Sequence, residues 1–171
     1  MLTALLLAAA QPATLEAALA PPSGSYGWIE ELAGSCFSRE NEHRSIVRAR
    51  WTECFEKRDG QFVMRSINWH PRYEYTTECV LESAREGLLR FVCTRHGRPH
   101  IDLVAEYDGD AFVMRNASDR VAAHQLLNRQ RTAWRRVGED ALSMTVEEPD
   151  PQGGWRPFAG SEPRVLRRVR R

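Results

Sequence analysis

The stretch Tyr73–Arg95 constrains the fold most, because it reads as one complete β-hairpin with two facing cysteines. Tyr73, Tyr75, Thr77, Cys79 and Leu81 share one parity, while Glu74, Thr76, Glu78 and Glu82 share the other. A period of two sends successive side chains to opposite faces, so one face is apolar and the other solvated. Ser83-Ala84-Arg85-Glu86-Gly87 breaks the alternation with a polar connection ending in Gly, and Leu89, Phe91 and Cys93 then return on a single face. With the turn centred near Glu86, Cys79 falls opposite Cys93 on the apolar side.

The rest of the chain follows the same pattern. Trp28–Ala33 reads as a short helix stopped by Gly34, and Cys36-Phe37 opens a first strand that runs into a polar turn over Arg39–Ser45. In the second strand, Val47–Glu56, the residues Val47, Ala49, Trp51 and Phe55 oppose Arg48, Arg50, Thr52 and Cys54. Asp59-Gly60 is a tight-hairpin pair, and Gln61–Trp69 follows until Pro71 ends it. Past the central hairpin, Ile101, Leu103, Ala105 and Tyr107 alternate, Asp108-Gly109 turns the chain, and Phe112 and Met114 return. Asn116–Ala123 is irregular, Gln125–Val137 is long enough for a bent strand, and Gly138–Asp140 turns into Leu142, Met144 and Val146. Glu148–Gly160 is Pro/Gly-rich and reads as a loop, and Val165–Val169 is a last strand able to close against the first. Short strands joined by nearest-neighbour hairpins predict an all-β fold. It is a single antiparallel up-and-down barrel of about eight to ten strands with a short N-terminal helix.

A chain of 171 residues, 42% hydrophobic and 27% charged, suits one domain with a real core. Its net charge of +1 supplies no field to draw in a polyanion, so no nucleic-acid partner is expected. Leu2–Ala10 is a short apolar run, and Ala18-Leu19-Ala20 resembles a small-x-small cleavage signal. Residues 1–20 therefore read as a signal peptide, 21–27 as a flexible tether and 28–171 as the barrel. A cut after Ala10 is a second option, and an amphipathic N-terminal helix of a cytosolic protein is the competing reading. The run is too short to span a bilayer, so no transmembrane segment is expected. A periplasmic or secreted location follows from the signal reading, with the protein acting as a monomer.

Four cysteines make an even set open to three pairings, and none stands in a Cys-x-x-Cys pair that would suggest zinc. Hairpin geometry prefers Cys79–Cys93 and Cys36–Cys54. Four buried thiols are the alternative. Closing the shorter loop would stabilise the fold by about 3 kcal/mol on chain-entropy grounds.

Trp28 through Gly34, entering a first strand, resembles the opening of calycin-type, lipocalin-like barrels. More specifically, the chain resembles small bacterial envelope proteins with a lipocalin-like domain of unknown function. The matching pieces are Leu32-Ala33-Gly34, Trp51, Tyr73-Glu74-Tyr75, Gly87-Leu88-Leu89, Trp134 through Leu142, and Arg167-Arg168-Val169. The segment Asn116–Ala122 keeps the Asn of an Asn-Pro-x-His-Asp-Phe-Pro-like stretch but lacks its His and Phe-Pro, so no site residue transfers there.

Candidate chemistry is sparse. No Gly-x-Ser-x-Gly elbow frames a serine, and Glu74, Glu78 and Glu82 fit the solvated face of a strand. His96 and His100 lie four apart in a Gly/Pro-containing loop, a poor frame for a metal, and no metal or cofactor is expected. The aromatic set Trp51, Phe55, Tyr73, Tyr75 and Phe91 could line a ligand cavity or simply fill the barrel. Arg129 and Arg131 could hold an anionic head group if their parity faces inward; the parity of Leu126 and Trp134 would put them outside. The leading expectation is an exported barrel that binds a small apolar or amphipathic ligand without catalysis. A ligand-free envelope structural or interaction protein comes second, and a hydrolase-type enzyme at the barrel mouth third.

Overall fold

The computed structural model describes residues 24–42, 48–85, 87–117 and 130–169. These residues form a helix α1 (Gly24–Leu32) and twelve strands. These are β1 (Ser35–Glu42), β2 (Arg48–Arg58), β3 (Gln61–His70), β4 (Tyr73–Arg85), β5 (Leu88–Arg95), β6 (Arg98–Pro99), β7 (Leu103–Tyr107), β8 (Phe112–Asn116), β9 (Arg131–Arg136), β10 (Ala141–Pro149), β11 (Trp155–Pro157) and β12 (Arg164–Arg168). Ten of them close into an antiparallel barrel in the order β12-β1-β2-β3-β4-β5-β7-β8-β9-β10, with β10 pairing back onto β12. The short β6 and β11 extend β5 and β10.

The closing seam is the one expected, and side chains reinforce it. Phe37 of β1 pairs with Arg168 of β12, whose guanidinium donates to Ser35 Oγ at 2.6 Å and lies 5.1 Å over the Phe37 ring. Closure pairs each of the ten barrel strands on both sides, so among the described residues only the short β6 and β11 keep a free side as a template for edge-to-edge association.

Both disulfides are formed, Cys36–Cys54 and Cys79–Cys93, each bridging directly opposed residues of neighbouring strands. They occupy opposite faces of the wall. Cys79 and Cys93 belong to the core cluster with Phe91, whereas Cys36 alternates with the inward Phe37 and so faces outward.

The sequence boundaries need four corrections. In the central hairpin β4 runs on to Arg85, which pairs with Leu88, so the expected connection 83–85 is strand; the register steps by one residue between Leu81 and Ser83. A β-bulge at Glu82 absorbs that step and hides the alternation beyond it. The helix starts at Gly24, inside the expected tether. There Ser25 is buried, its hydroxyl donates to the Gly87 carbonyl, and it accepts from the Tyr107 N–H at 2.8 Å. The loop after Glu148 contains β11, and β1 runs on to Glu42, so 39–42 of the expected 39–45 turn is strand and the rest lies outside the described residues. The expected signal segment 1–20, most of the irregular segment 116–123 and residues 125–129 of the bent strand lie outside the described residues.

The helix closes one end of the barrel. Trp28 stacks on Phe112 at 4.6 Å and meets Phe55 edge-on at 6.0 Å, while Phe37 meets Phe55 at 6.2 Å. Ile29, Leu32, Phe91, Leu89 and Leu166 are all essentially inaccessible there. Gly34 N–H donates to the Phe55 carbonyl at 2.7 Å, which fixes the end of α1 to β2. At the same end, the Asp59-Gly60 pair turns β2 into β3 with both φ angles positive (51° and 79°), as a tight primed turn requires.

Candidate functional site

A barrel of ten strands is wider than one of eight, and its interior fills only where side chains are large. At the helix end, phenylalanines supply that bulk. Away from the helix, the inward positions of β3, β4, β8 and β9 become Ser66, Asn68, Thr77, Asn116 and Thr132, and a cavity of about 410 Å³ remains. Ligand cavities begin at roughly 300 Å³, so this space suffices for a small molecule.

Its middle walls are apolar and rich in sulfur. Met64, Met114 and Met144 line it together with the Cys79–Cys93 disulfide, Leu103 and Trp134. Thioether chains are flexible and polarisable, so such a wall adapts to guests of differing shape.

Among the described residues Glu53 is the one carboxylate in this wall, and it is 6% exposed. It shares strand parity with Trp51 and Phe55, which forces it inward. The Trp51 indole Nε1–H donates to Glu53 Oε1 at 2.7 Å and, in a shared bond, to Ser66 Oγ at 3.1 Å. The Ser66 hydroxyl donates to the same carboxylate, and Asn68 Nδ2 donates to Ser66 Oγ at 3.3 Å. Burial dominates these bonds and pushes the Glu53 pKa up from 4.5 to about 7. Burial therefore favours the protonated form of this carboxyl well above the ordinary carboxylate range.

A cationic group sits at the end opposite α1. Arg95 Nε donates to Thr77 Oγ1 at 3.1 Å, and its guanidinium lies 4.7 Å over the Tyr75 ring. Among the described residues no carboxylate pairs with Arg95, and its two terminal nitrogens remain for a guest. His100 lines the cavity too, and partial burial followed by the Arg95 charge pushes its pKa below the ordinary histidine value. His96 sits apart from it in the exposed β5–β6 turn.

The residues expected from sequence divide into several groups. Trp51, Tyr75 and Arg131 line the cavity. Phe55 and Phe91 do not; they are 3% and 0% exposed in the packed end, where α1 leaves no space beside them. Tyr73 is 58% exposed beyond the cavity, stacked on His70 at 4.6 Å. Arg129 lies outside the described residues.

Arg131 touches only the rim, and the reason is strand parity. Trp134 takes the core side of β9, so Arg131 and Arg135 project from the outer face. There Arg131 Nε meets Glu147 at 2.8 Å, its Nη1 meets Asp108 at 3.2 Å, and its guanidinium lies 4.5 Å over Trp155 of β11. Arg135 joins Glu147 at 3.1 Å and Asp110 at 2.7 Å. The small buried cluster of Ala111, Val113 and Ala133 shares this outer parity, and the arginines of the network are already neutralised. The carboxylate stripe is likewise spent on the surface, Glu78 on Arg58 at 3.3 Å and Glu82 on Arg90 at 3.0 Å.

Sequence reasoning missed Glu53, Arg95, Trp134 and the three methionines. The signal for two of them was present: Glu53 lies between Trp51 and Phe55 in parity, and Arg95 continues the Phe91–Cys93 face. Among the described residues no helix is long and apolar enough to cross a membrane. No known protein family, curated protein or solved structure matched the chain.

Proposed function

We propose that this is an exported, lipocalin-like barrel that binds a small amphipathic anion, its apolar body among the methionines and its charge on Arg95. The observation that carries the reading is a cavity of about 410 Å³ whose far end presents a guanidinium with no carboxylate partner among the described residues. Guanidinium forks suit carboxylates and phosphates, and stacking on Tyr75 holds this one in place. Two disulfides support passage through an oxidising compartment, in keeping with the apolar N-terminal run. A filled barrel acting only as a structural protein would have little use for a polar-ended cavity.

Thermal unfolding with and without decanoate tests the reading. A ligand present at about a hundred times its Kd stabilises the folded state by about 2.7 kcal/mol, a shift of several degrees for a domain this size. Arg95→Gln is expected to weaken decanoate binding about tenfold. Absence of any melting shift across a series of short- to long-chain acids would refute the proposal.

A further inference from the structure

The mouth of the cavity carries more basic groups than a single carboxylate would use. Beyond the pairs Arg95–Arg98 and Thr94–Pro99, the β5–β6 ladder continues through the His100 N–H, which donates to the Cys93 carbonyl at 2.9 Å. Cys93 faces the barrel interior, and Arg95 and His100 share its side of the sheet. They are diagonal neighbours across this pairing, a spacing that long side chains span. Both line the cavity, and burial followed by the Arg95 charge disfavours protonation of His100.

The other charges around this pair add to it or are spent elsewhere. Arg98 stands exposed opposite Arg95, and Arg115 lines the cavity from β8. Arg131 is held by Glu147 and Asp108, and Asp102 pairs with Arg90 at 3.4 Å. Glu53, the one carboxylate of the lining among the described residues, stands three strands away on β2 and is bonded to Trp51. A carboxylate guest on Arg95 would leave His100 without a counter-charge. A phosphate monoester carries about −1.5 to −2 at pH 7 and three acceptor oxygens, enough to accept from both groups at once.

Resting on the anion-binding reading above, we propose that the guest's head group is a phosphate monoester held between the Arg95 guanidinium and the His100 imidazole. Its apolar chain lies among the methionines. Such a dianion favours the imidazolium, so capture of the guest draws a proton onto His100 and offsets the repulsion from Arg95.

Titration calorimetry of the full chain at pH 7 compares decyl phosphate with decanoate and with methyl decyl phosphate, a diester that carries one charge. Decyl phosphate is expected to bind roughly tenfold tighter than either, the effect of one added hydrogen bond between charged groups. In His100→Gln the preference should shrink to about twofold or less with decanoate affinity retained. Imidazole NMR supplies a second readout, the His100 signal being the one that His100→Gln lacks. Saturation with decyl phosphate should raise its titration midpoint by about one pH unit, the reciprocal of a tenfold preference for the protonated form. Equal affinity of the wild type for all three acids would overturn the proposal and leave anion binding at Arg95 standing. A preference that survives His100→Gln, or an unmoved His100 midpoint, would also overturn it. Inorganic phosphate binding as tightly as decyl phosphate would overturn the apolar chain and keep the dianion site. Binding of none of these would overturn both readings.

Discussion

The two ends of the barrel are built on the same strands with the same alternation, yet one is solid and the other hollow. At the helix end, β1, β2, β5 and β8 contribute Phe37, Phe55, Phe91 and Phe112, and Trp28 seals them from below. A few residues further along, the inward positions are Trp51, Glu53, Ser66, Thr77 and Asn116. The same strands run through both halves; what changes along them is side-chain volume and polarity. Strand number fixes the width of a barrel, and the residues placed inside decide whether that width becomes core or cavity. Stability should therefore reside in the solid end and selectivity in the hollow one.

The sharpest break of that division is at Phe112, fully buried and stacked on Trp28. Phe112→Ala should cost about 3–5 kcal/mol in chemical denaturation, the range for a large aromatic removed from a packed core. A cost under about 1 kcal/mol would mean that the helix end is as loosely filled as the other.

Glu53 marks the border between the halves, and its effect depends on pH. Its pKa is raised on folding, so the folded state holds its proton more tightly than the unfolded chain. The associated stability is fully present below about 4.5 and is lost as pH rises through about 7. A shift of this size corresponds to about 3 kcal/mol. Glu53→Gln should then match the wild type near pH 4.5 and exceed it by about 2–3 kcal/mol at pH 8. Equal stability of the two proteins at both pH values would show that the carboxyl is well solvated.

Much of the barrel was legible because its grammar is local. Alternation places Phe37, Phe55, Phe91 and Phe112 on one surface, Asp59-Gly60 sets a two-residue turn, and opposed positions of a hairpin pair Cys79 with Cys93. What escaped the sequence is what depends on non-local closure. The bulge at Glu82 shifts the register without changing composition, and β11 exists only because Glu147–Pro149 offers it an edge. The distinction between cavity and core is of the same kind. Phe55 and Phe91 look no different in sequence from Trp51 and Tyr75; only the position of α1 decides which pair is packed solid. Glu53 was readable from parity, but a carboxylate at a core position runs against the usual burial of apolar residues, so parity alone carried little weight.

The arginines give the finest and smallest test of the comparison. Alternation left two parities for β9, and the structure puts Trp134 inside and Arg131 outside, where Glu147, Asp108 and Trp155 occupy its guanidinium. Arg95, by contrast, reaches the hollow end, where it meets Thr77 and Tyr75, lies near His100 and has no carboxylate partner among the described residues. Arg131→Gln should cost about 1 kcal/mol of stability, since Glu147 keeps Arg135 as a partner and is not left alone as a buried charge. The same change should leave decanoate affinity within about twofold, while Arg95→Gln shifts it about tenfold at little cost to the fold. Calorimetry on the two variants side by side reads both quantities. If Arg131→Gln weakened the acid as strongly as Arg95→Gln, the anion would sit at the rim and the hollow end would not be its binding site. If neither did, the charge of the guest would be irrelevant to its capture, and apolar contact with Met64, Met114 and Met144 would have to supply all the affinity.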